Sequence, residues 1–111
     1  MRRLRLEDLP AGADASRFEG HEHGAEVSFF FSRHAAGRGP SLHRHPYEET
    51  FIMEAGTARF TVGEETVEVA GGEIVVVPAG VPHRFTSIGP EPLRQISIHP
   101  VARMEAEWLD E

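Results

Sequence analysis

The sequence predicts a single all-β domain, built as a sandwich or a barrel. The chain has 111 residues, which is the length of one ordinary domain. Its 11 Gly and 8 Pro residues recur throughout and divide the sequence into short pieces. Between these breaks lie runs rich in Val, Ile, Phe and Thr, which favour strands. Short β-prone runs separated by turn residues are typical of sandwiches and barrels.

Seven of these runs have the length and composition of strands. In the second run, Phe51 and Met53 alternate with Thr50 and Ile52, which is the period of a strand with one buried face. The predicted strands are, in chain order, Val27–Arg33, Glu49–Glu54, Ala58–Val62, Thr66–Val69, Glu73–Val77, His83–Ser87 and Leu93–His99.

One segment at the end of the chain has a helical pattern instead. In Val101–Leu109, the apolar residues Met104, Trp108 and Leu109 would fall on one stripe among acidic residues. We therefore predict a short C-terminal helical segment.

Missing residue types exclude several kinds of chemistry. The sequence has no Cys and no Lys, which excludes disulfides, thiolate metal sites and Schiff-base catalysis. A net charge of −7 without a basic stripe argues against nucleic acid as a partner. The N-terminus lacks the apolar run of a secretory signal, and the longest aliphatic run, Ile74 to Val77, is far below the roughly 18 residues of a membrane span. We expect a cytoplasmic protein with neither nucleic acid nor membrane as its partner.

Three histidines and one glutamate form a candidate metal site. Because residues two apart on a strand project from the same face, about 7 Å apart, His43 and His45 can converge on one ion. Glu49 opens the next apolar run, and His83 begins a strand after a rigid proline-containing turn. Imidazoles and a carboxylate suit divalent Mn, Fe, Co, Ni, Cu or Zn better than Ca or Mg.

The same residues carry a resemblance to the cupin superfamily. Residues 37–56 fit the first cupin motif, G-x5-H-x-H-x3-E-x6-G, at every fixed position. Residues 72–87 fit the second, G-x5-P-x-G-x2-H-x3-N, except that Ser87 stands in place of Asn. Nine of the ten fixed positions therefore match.

The resemblance implies a jelly-roll β-barrel, also called a double-stranded β-helix. Residues 1–111 would form one small cupin domain, with core motifs at 37–56 and 72–87, an N-terminal arm at 1–25 and a C-terminal tail at 101–111. One divalent transition metal per chain would lie inside the barrel, held by His43, His45, Glu49 and His83.

Four protein ligands on an ion that prefers five or six leave room for water, O2 or substrate. Members of the resembled family include dioxygenases, oxalate-degrading enzymes, sugar isomerases and binding proteins without activity, so the fold alone does not give the reaction. We expect an enzyme that acts on a small oxygenated substrate, with dioxygenase-like or isomerase-like chemistry and no assigned general base. The alternative is a non-catalytic binding or sensor module in which the metal orders a ligand pocket.

For the apolar side chains near these ligands, the favoured interpretation is a place in the core, and the second is a place in the wall of a pocket. Phe51 and Met53 have the same strand parity as Glu49, and Phe85 has that of His83. A small, largely apolar substrate pocket is therefore expected beside the ion. Its candidate residues are Phe51, Met53, Phe60 and Phe85.

The remaining histidines are given weaker interpretations. His21 and His23 lie between glycines and are predicted to occupy a solvated loop, and His34 to end a strand. His99 shares its strand face with two other polar residues, and that face could line the barrel or meet solvent.

Two further observations concern substrate contacts and assembly. Tyr47 and Arg59 could contact a substrate, although exposed positions are the favoured interpretation. The run Phe29–Phe31 is aromatic on both faces of one strand, as expected of a strand covered by a second subunit. We therefore predict a homodimer, which the resembled family often forms.

Overall fold

A computed structural model describes residues 1–109 of the chain. These residues form ten strands and two single-turn 3-10 helices at Leu6–Asp8 and Gly20–Glu22. All strand pairs are antiparallel. The strands are β1 (Ala15–Phe18), β2 (Ser28–His34), β3 (His43–Arg44), β4 (Glu49–Ala55), β5 (Thr57–Val62), β6 (Glu65–Ala70), β7 (Ile74–Val77), β8 (His83–Ser87), β9 (Leu93–His99) and β10 (Glu107–Trp108).

The strands form two five-stranded sheets that pack face to face. The first sheet has the order β1-β2-β9-β4-β7, and the second has the order β10-β3-β8-β5-β6. Phe51 of the first sheet meets Phe60 and Phe85 of the second, at ring-centroid distances of 5.0 and 5.7 Å. The apolar core lies at this contact, and its buried members are Phe51, Met53, Ala58, Phe60, Val69, Val77, Phe85 and Leu93.

The all-β prediction is confirmed, and so are the seven predicted strands, each with ends within one residue of those observed. The alternation in β4 is also confirmed, because Phe51 and Met53 are buried whereas Thr50 and Ile52 are only half-buried. In the described part of the chain, none of the helices has the length or apolar character needed to cross a membrane.

The predicted helix over Val101–Leu109 is wrong. Its last part forms β10, which pairs with β3, and the Leu109 N–H donates to the carbonyl of Leu42 at 3.0 Å. Trp108 also packs on the ring of His43, with centroids 4.8 Å apart. A nine-residue helix is marginal in isolation, so these contacts with the rest of the fold decide its conformation. Of the predicted tail, residues 110–111 lie outside the described residues.

Candidate metal centre

The structure brings His43, His45, Glu49 and His83 together between the two sheets. One ligand atom from each lies within 4.8 Å of every other, and all four side chains are buried. Pairing of β3 with β8 places His43 directly opposite His83. Glu49 opens β4, and a hydrogen bond of 2.7 Å from the Gly80 N–H to the His45 carbonyl ties the two motifs together.

Each of the three histidines is held through its Nδ1 atom. The acceptors are backbone carbonyls: Ser41 for His43 at 2.8 Å, Glu105 for His45 at 2.7 Å, and Val81 for His83 at 2.9 Å. Because a carbonyl only accepts, each Nδ1 carries a hydrogen, which leaves Nε2 as the ring atom that can bind a metal. This is how metal-binding imidazoles are usually oriented.

The carboxylate of Glu49 faces these rings. Its Oε1 atom lies 2.9 Å from Nε2 of His45 and 3.1 Å from Nε2 of His83. Burial alone would raise the pKa of Glu49, but its contacts with His45, His83 and His99 hold that pKa well below the usual range. A buried carboxylate and the ring nitrogens of buried histidines thus converge at one place, which is an arrangement that suits a bound cation. The donor set therefore fits a divalent transition metal.

The local environment shifts the pKa values of two of the histidines in opposite directions. Burial lowers the pKa of His43, although the Ser41 carbonyl partly opposes that effect. Burial also acts to lower the pKa of His45, but the Glu49 carboxylate and the Glu105 carbonyl outweigh it and raise that pKa.

Two residues that were not predicted as part of the metal site complete the centre. His99 lies on the buried face of β9, and its Nε2 is 3.1 Å from Oε2 of Glu49. The hydroxyl of Tyr47 is 2.7 Å from Nδ1 of His99 and also contacts the backbone of Glu105. The expectation that Tyr47 is exposed is wrong: the side chain is buried, and this burial raises its pKa to about 12. The alternation of β9 was the signal for His99, but it did not show which face lies inside.

A cavity of about 500 Å³ opens from this centre. Phe51 and Phe85, two of the four predicted pocket residues, line it. Met53 and Phe60 lie in the apolar core instead, where the ring of Phe60 stacks on Phe85 at 5.2 Å. Strand parity correctly predicted that all four side chains point inward. Their positions along the strands decide which ones line the cavity and which ones fill the core.

The remaining candidates lie away from the ligands. His21 is exposed, and His23 stacks on Phe18 with ring centroids 4.6 Å apart. Arg59 is exposed on β5 and pairs with Glu68 at 3.5 Å. His34 ends β2, as predicted, but it is buried and lines the cavity.

Comparisons with known proteins agree with this fold. The sequence matches the family model described as "Cupin domain" over residues 30–99. It is 35% identical over 106 residues to an uncharacterized protein of Streptomyces coelicolor, a match that covers 88% of this chain and 94% of that protein.

Solved structures show the same fold at low sequence identity. An oxalate decarboxylase from Bacillus subtilis superposes with a TM-score of 0.85 at 19% identity, over 96% of this chain and 31% of that one. An oxalate decarboxylase from Lactobacillus farciminis, in a formate complex, superposes with a TM-score of 0.82 at 22% identity, over 94% of this chain and 34% of that one. The chain thus spans about a third of these enzymes. An uncharacterized conserved protein with a double-stranded β-helix domain from Klebsiella pneumoniae superposes with a TM-score of 0.78 at 18% identity, over 100% of this chain and 99% of that one.

Proposed function

Because this chain belongs to the cupin domain family, we propose that His43, His45, Glu49 and His83 bind one divalent transition metal ion, and that the ion acts on a small oxygenated molecule in the cavity. The observation that carries the proposal is the set of three Nδ1–H groups held by backbone carbonyls. That arrangement leaves three Nε2 atoms available to bind one ion beside a buried carboxylate.

The donor set narrows the ion to Fe, Mn, Ni, Co, Cu or Zn. Mn(II) centres are described for the Bacillus subtilis oxalate decarboxylase, which supports Mn as one candidate. When bound, such an ion supplies Lewis-acid polarisation of a substrate oxygen or redox chemistry with O2. The protein contributes the rest: Glu49 supplies a negative charge, and His99 can hold a proton at Nε2 beside that carboxylate.

Metal content is the direct test of this proposal. Untagged protein is expected to contain close to one transition metal ion per chain, measured by elemental analysis, and His43→Ala or His83→Ala should lose it. His23→Ala is the matched control, since that ring stacks on Phe18 and its loss should leave the metal in place. Wild-type protein that contains no metal, and takes up none on dialysis, would defeat the proposal.

Turnover distinguishes an enzyme from a binding module. Metal-loaded protein is expected to consume O2 or convert substrate when screened with catechols, diketones, flavonols and small sugars. A metal-loaded protein that binds members of this panel tightly without converting any of them is a binding or sensor module instead.

A further inference from the structure

The cavity has a second polar region at a distance from the metal centre. Gln95 is only 2% exposed and lines the cavity, and its carboxamide oxygen has no hydrogen-bond partner within residues 1–109. His34 lines the same region, and its Nδ1 is likewise buried without a hydrogen-bond partner among the described residues. Buried polar atoms without partners are costly, and so they indicate a place where a ligand completes the hydrogen bonds.

Strand geometry fixes how far this region lies from the metal ligands. Gln95 precedes His99 by four residues on the same face of β9, which corresponds to roughly 13 Å between their Cα atoms. The pairing with β4 shows the same separation. Gln95 lies opposite Met53, four residues along β4 from Glu49, which begins that strand. The two polar regions therefore lie at opposite ends of the cavity.

Aromatic side chains occupy the stretch between them. Phe30, Phe51 and Phe85 all line the cavity there. The ring of Phe85 also meets His34 edge-on, with centroids 5.1 Å apart. A flat apolar body fits between these three rings better than a polar or highly hydrated one.

The Asp14 carboxylate, which lies 3.7 Å from Nδ1 of His34, is already paired by the protein. Asp14 accepts hydrogen bonds from Nε of Arg38 at 3.0 and 2.9 Å, which neutralises its carboxylate. Burial lowers the pKa of His34, against the opposing effect of Asp14, so that ring is neutral near pH 7. The ligand group that meets Gln95 and His34 is thus expected to be uncharged.

We propose that the cavity binds a flat aromatic molecule with chelating oxygens at one end and an uncharged hydroxyl or N–H group at the other, and that Gln95 selects it by accepting a hydrogen bond from that group. The inference rests on the proposed function, because the chelating end needs the metal. It adds the class of ligand and a residue that determines specificity.

A pair of probes with the same chelating head tests this selection. Metal-loaded, full-length protein is titrated by calorimetry with 1-(4-hydroxyphenyl)butane-1,3-dione and with 1-phenylbutane-1,3-dione. The hydroxylated diketone is expected to bind about tenfold more tightly, as one hydrogen bond to a buried group allows. Gln95→Leu should remove that difference while keeping the affinity for the parent diketone within about threefold, since it leaves the metal ligands in place.

Ser87→Ala is the matched control, because the Ser87 hydroxyl is also buried and unpaired among the described residues but lies outside the cavity lining. It should retain the preference. Equal binding of both diketones to metal-containing wild type, or binding of neither, overturns the ligand proposal while the metal proposal stands. The comparison of the two diketones uses wild-type protein alone, so its outcome does not depend on whether a variant folds. Wild type without metal would instead overturn the proposed function, and this inference with it.

Discussion

Tyr47 connects two residues of the candidate metal centre through contacts with their neighbours. Its hydroxyl lies 2.7 Å from Nδ1 of His99, which in turn faces Glu49, and 3.2 Å from the Glu105 carbonyl that holds His45. Groups that orient metal ligands in this way contribute strongly to affinity even though they do not touch the ion.

Tyr47→Phe is therefore expected to weaken metal binding by roughly tenfold to a hundredfold. The phenyl ring remains, so the core packing is kept and only the hydroxyl contacts are lost. Affinity is measured by competition with a chromophoric chelator, and Arg59→Gln serves as a control at an exposed site. An unchanged affinity in Tyr47→Phe would show that the hydroxyl does not orient the ligands.

His34 is expected to make stability depend on pH. Burial lowers its pKa in the folded state, so below the unfolded-state pKa, about 6.5, the unfolded chain binds more protons than the folded one. The contribution of His34 to the free energy of unfolding is full above that pH and is lost as the pH falls through the folded-state pKa. Protonation during acidification thus destabilises the fold at this position.

The measurement is urea unfolding of metal-free protein at pH 7, 6 and 5, for wild type and His34→Gln. The free energy of unfolding of wild type should fall more steeply with decreasing pH than that of the variant. Taking the difference between the two cancels the titration of the metal ligands. Parallel curves would contradict the prediction.

Sequence spacing predicted the ligand set of the candidate site but not the groups around it. His43, His45, Glu49 and His83 come together because strand parity and a rigid turn fix their directions, and both are local properties. His99 reaches Glu49 only because β9 pairs with β4 at a particular register. Alternation along β9 defined two faces and left open which one was inside.

At the level of elements, the seven strands found from the sequence are those with β-prone runs bounded by Gly, Pro or charged residues. The three strands outside those seven runs, β1, β3 and β10, are short and lack an alternating pattern. Their conformation comes from pairing with other strands, β1 with β2, and β3 with β8 and β10. Such tertiary pairing overrides weak local preference.

Gly39 shows how closely the connection before β3 approaches β8. A Cβ atom at this position would lie 1.9 Å from the carbonyl oxygen of Phe85, which is backbone and cannot move without disturbing the strand. Gly39→Ala is expected to lower the free energy of unfolding by more than about 2 kcal/mol. Gly12→Ala is the matched control, because within residues 1–109 no atom beyond its chain neighbours lies within 4 Å of the Cβ it would add.

Denaturant unfolding of the two variants checks this difference. The control is expected to stay within about 0.5 kcal/mol of wild type, as is usual for surface substitutions. Similar stability of the two variants would mean that the chain before β3 adjusts freely, contrary to the tight approach described above.

For the molecule as a whole, the outer face of the first sheet is unusually apolar. The strand register aligns Ile74, Ile52, Ile96 and Phe31 in one row across β7, β4, β9 and β2. The N-terminal residues Leu4, Leu6 and Leu9 pack beside Phe31 at one end of this face. At the other end Ile74 and Val76 remain 64% and 59% exposed. A face of this kind is typical of a protein–protein contact.

We expect the homodimer predicted from the aromatic run in β2 to form through this face, with a second copy of the chain as the partner. Light scattering coupled to size exclusion is expected to give twice the 12.3 kDa mass of one chain. Ile74→Glu combined with Val76→Glu should give a monomer, because two buried carboxylates without partners oppose association. Val67→Glu is the matched control: Val67 is 50% exposed, but it lies on β6 of the other sheet, so its dimer should persist. A wild-type monomer, or a dimer that survives the double substitution, would contradict an interface at the exposed end of this face.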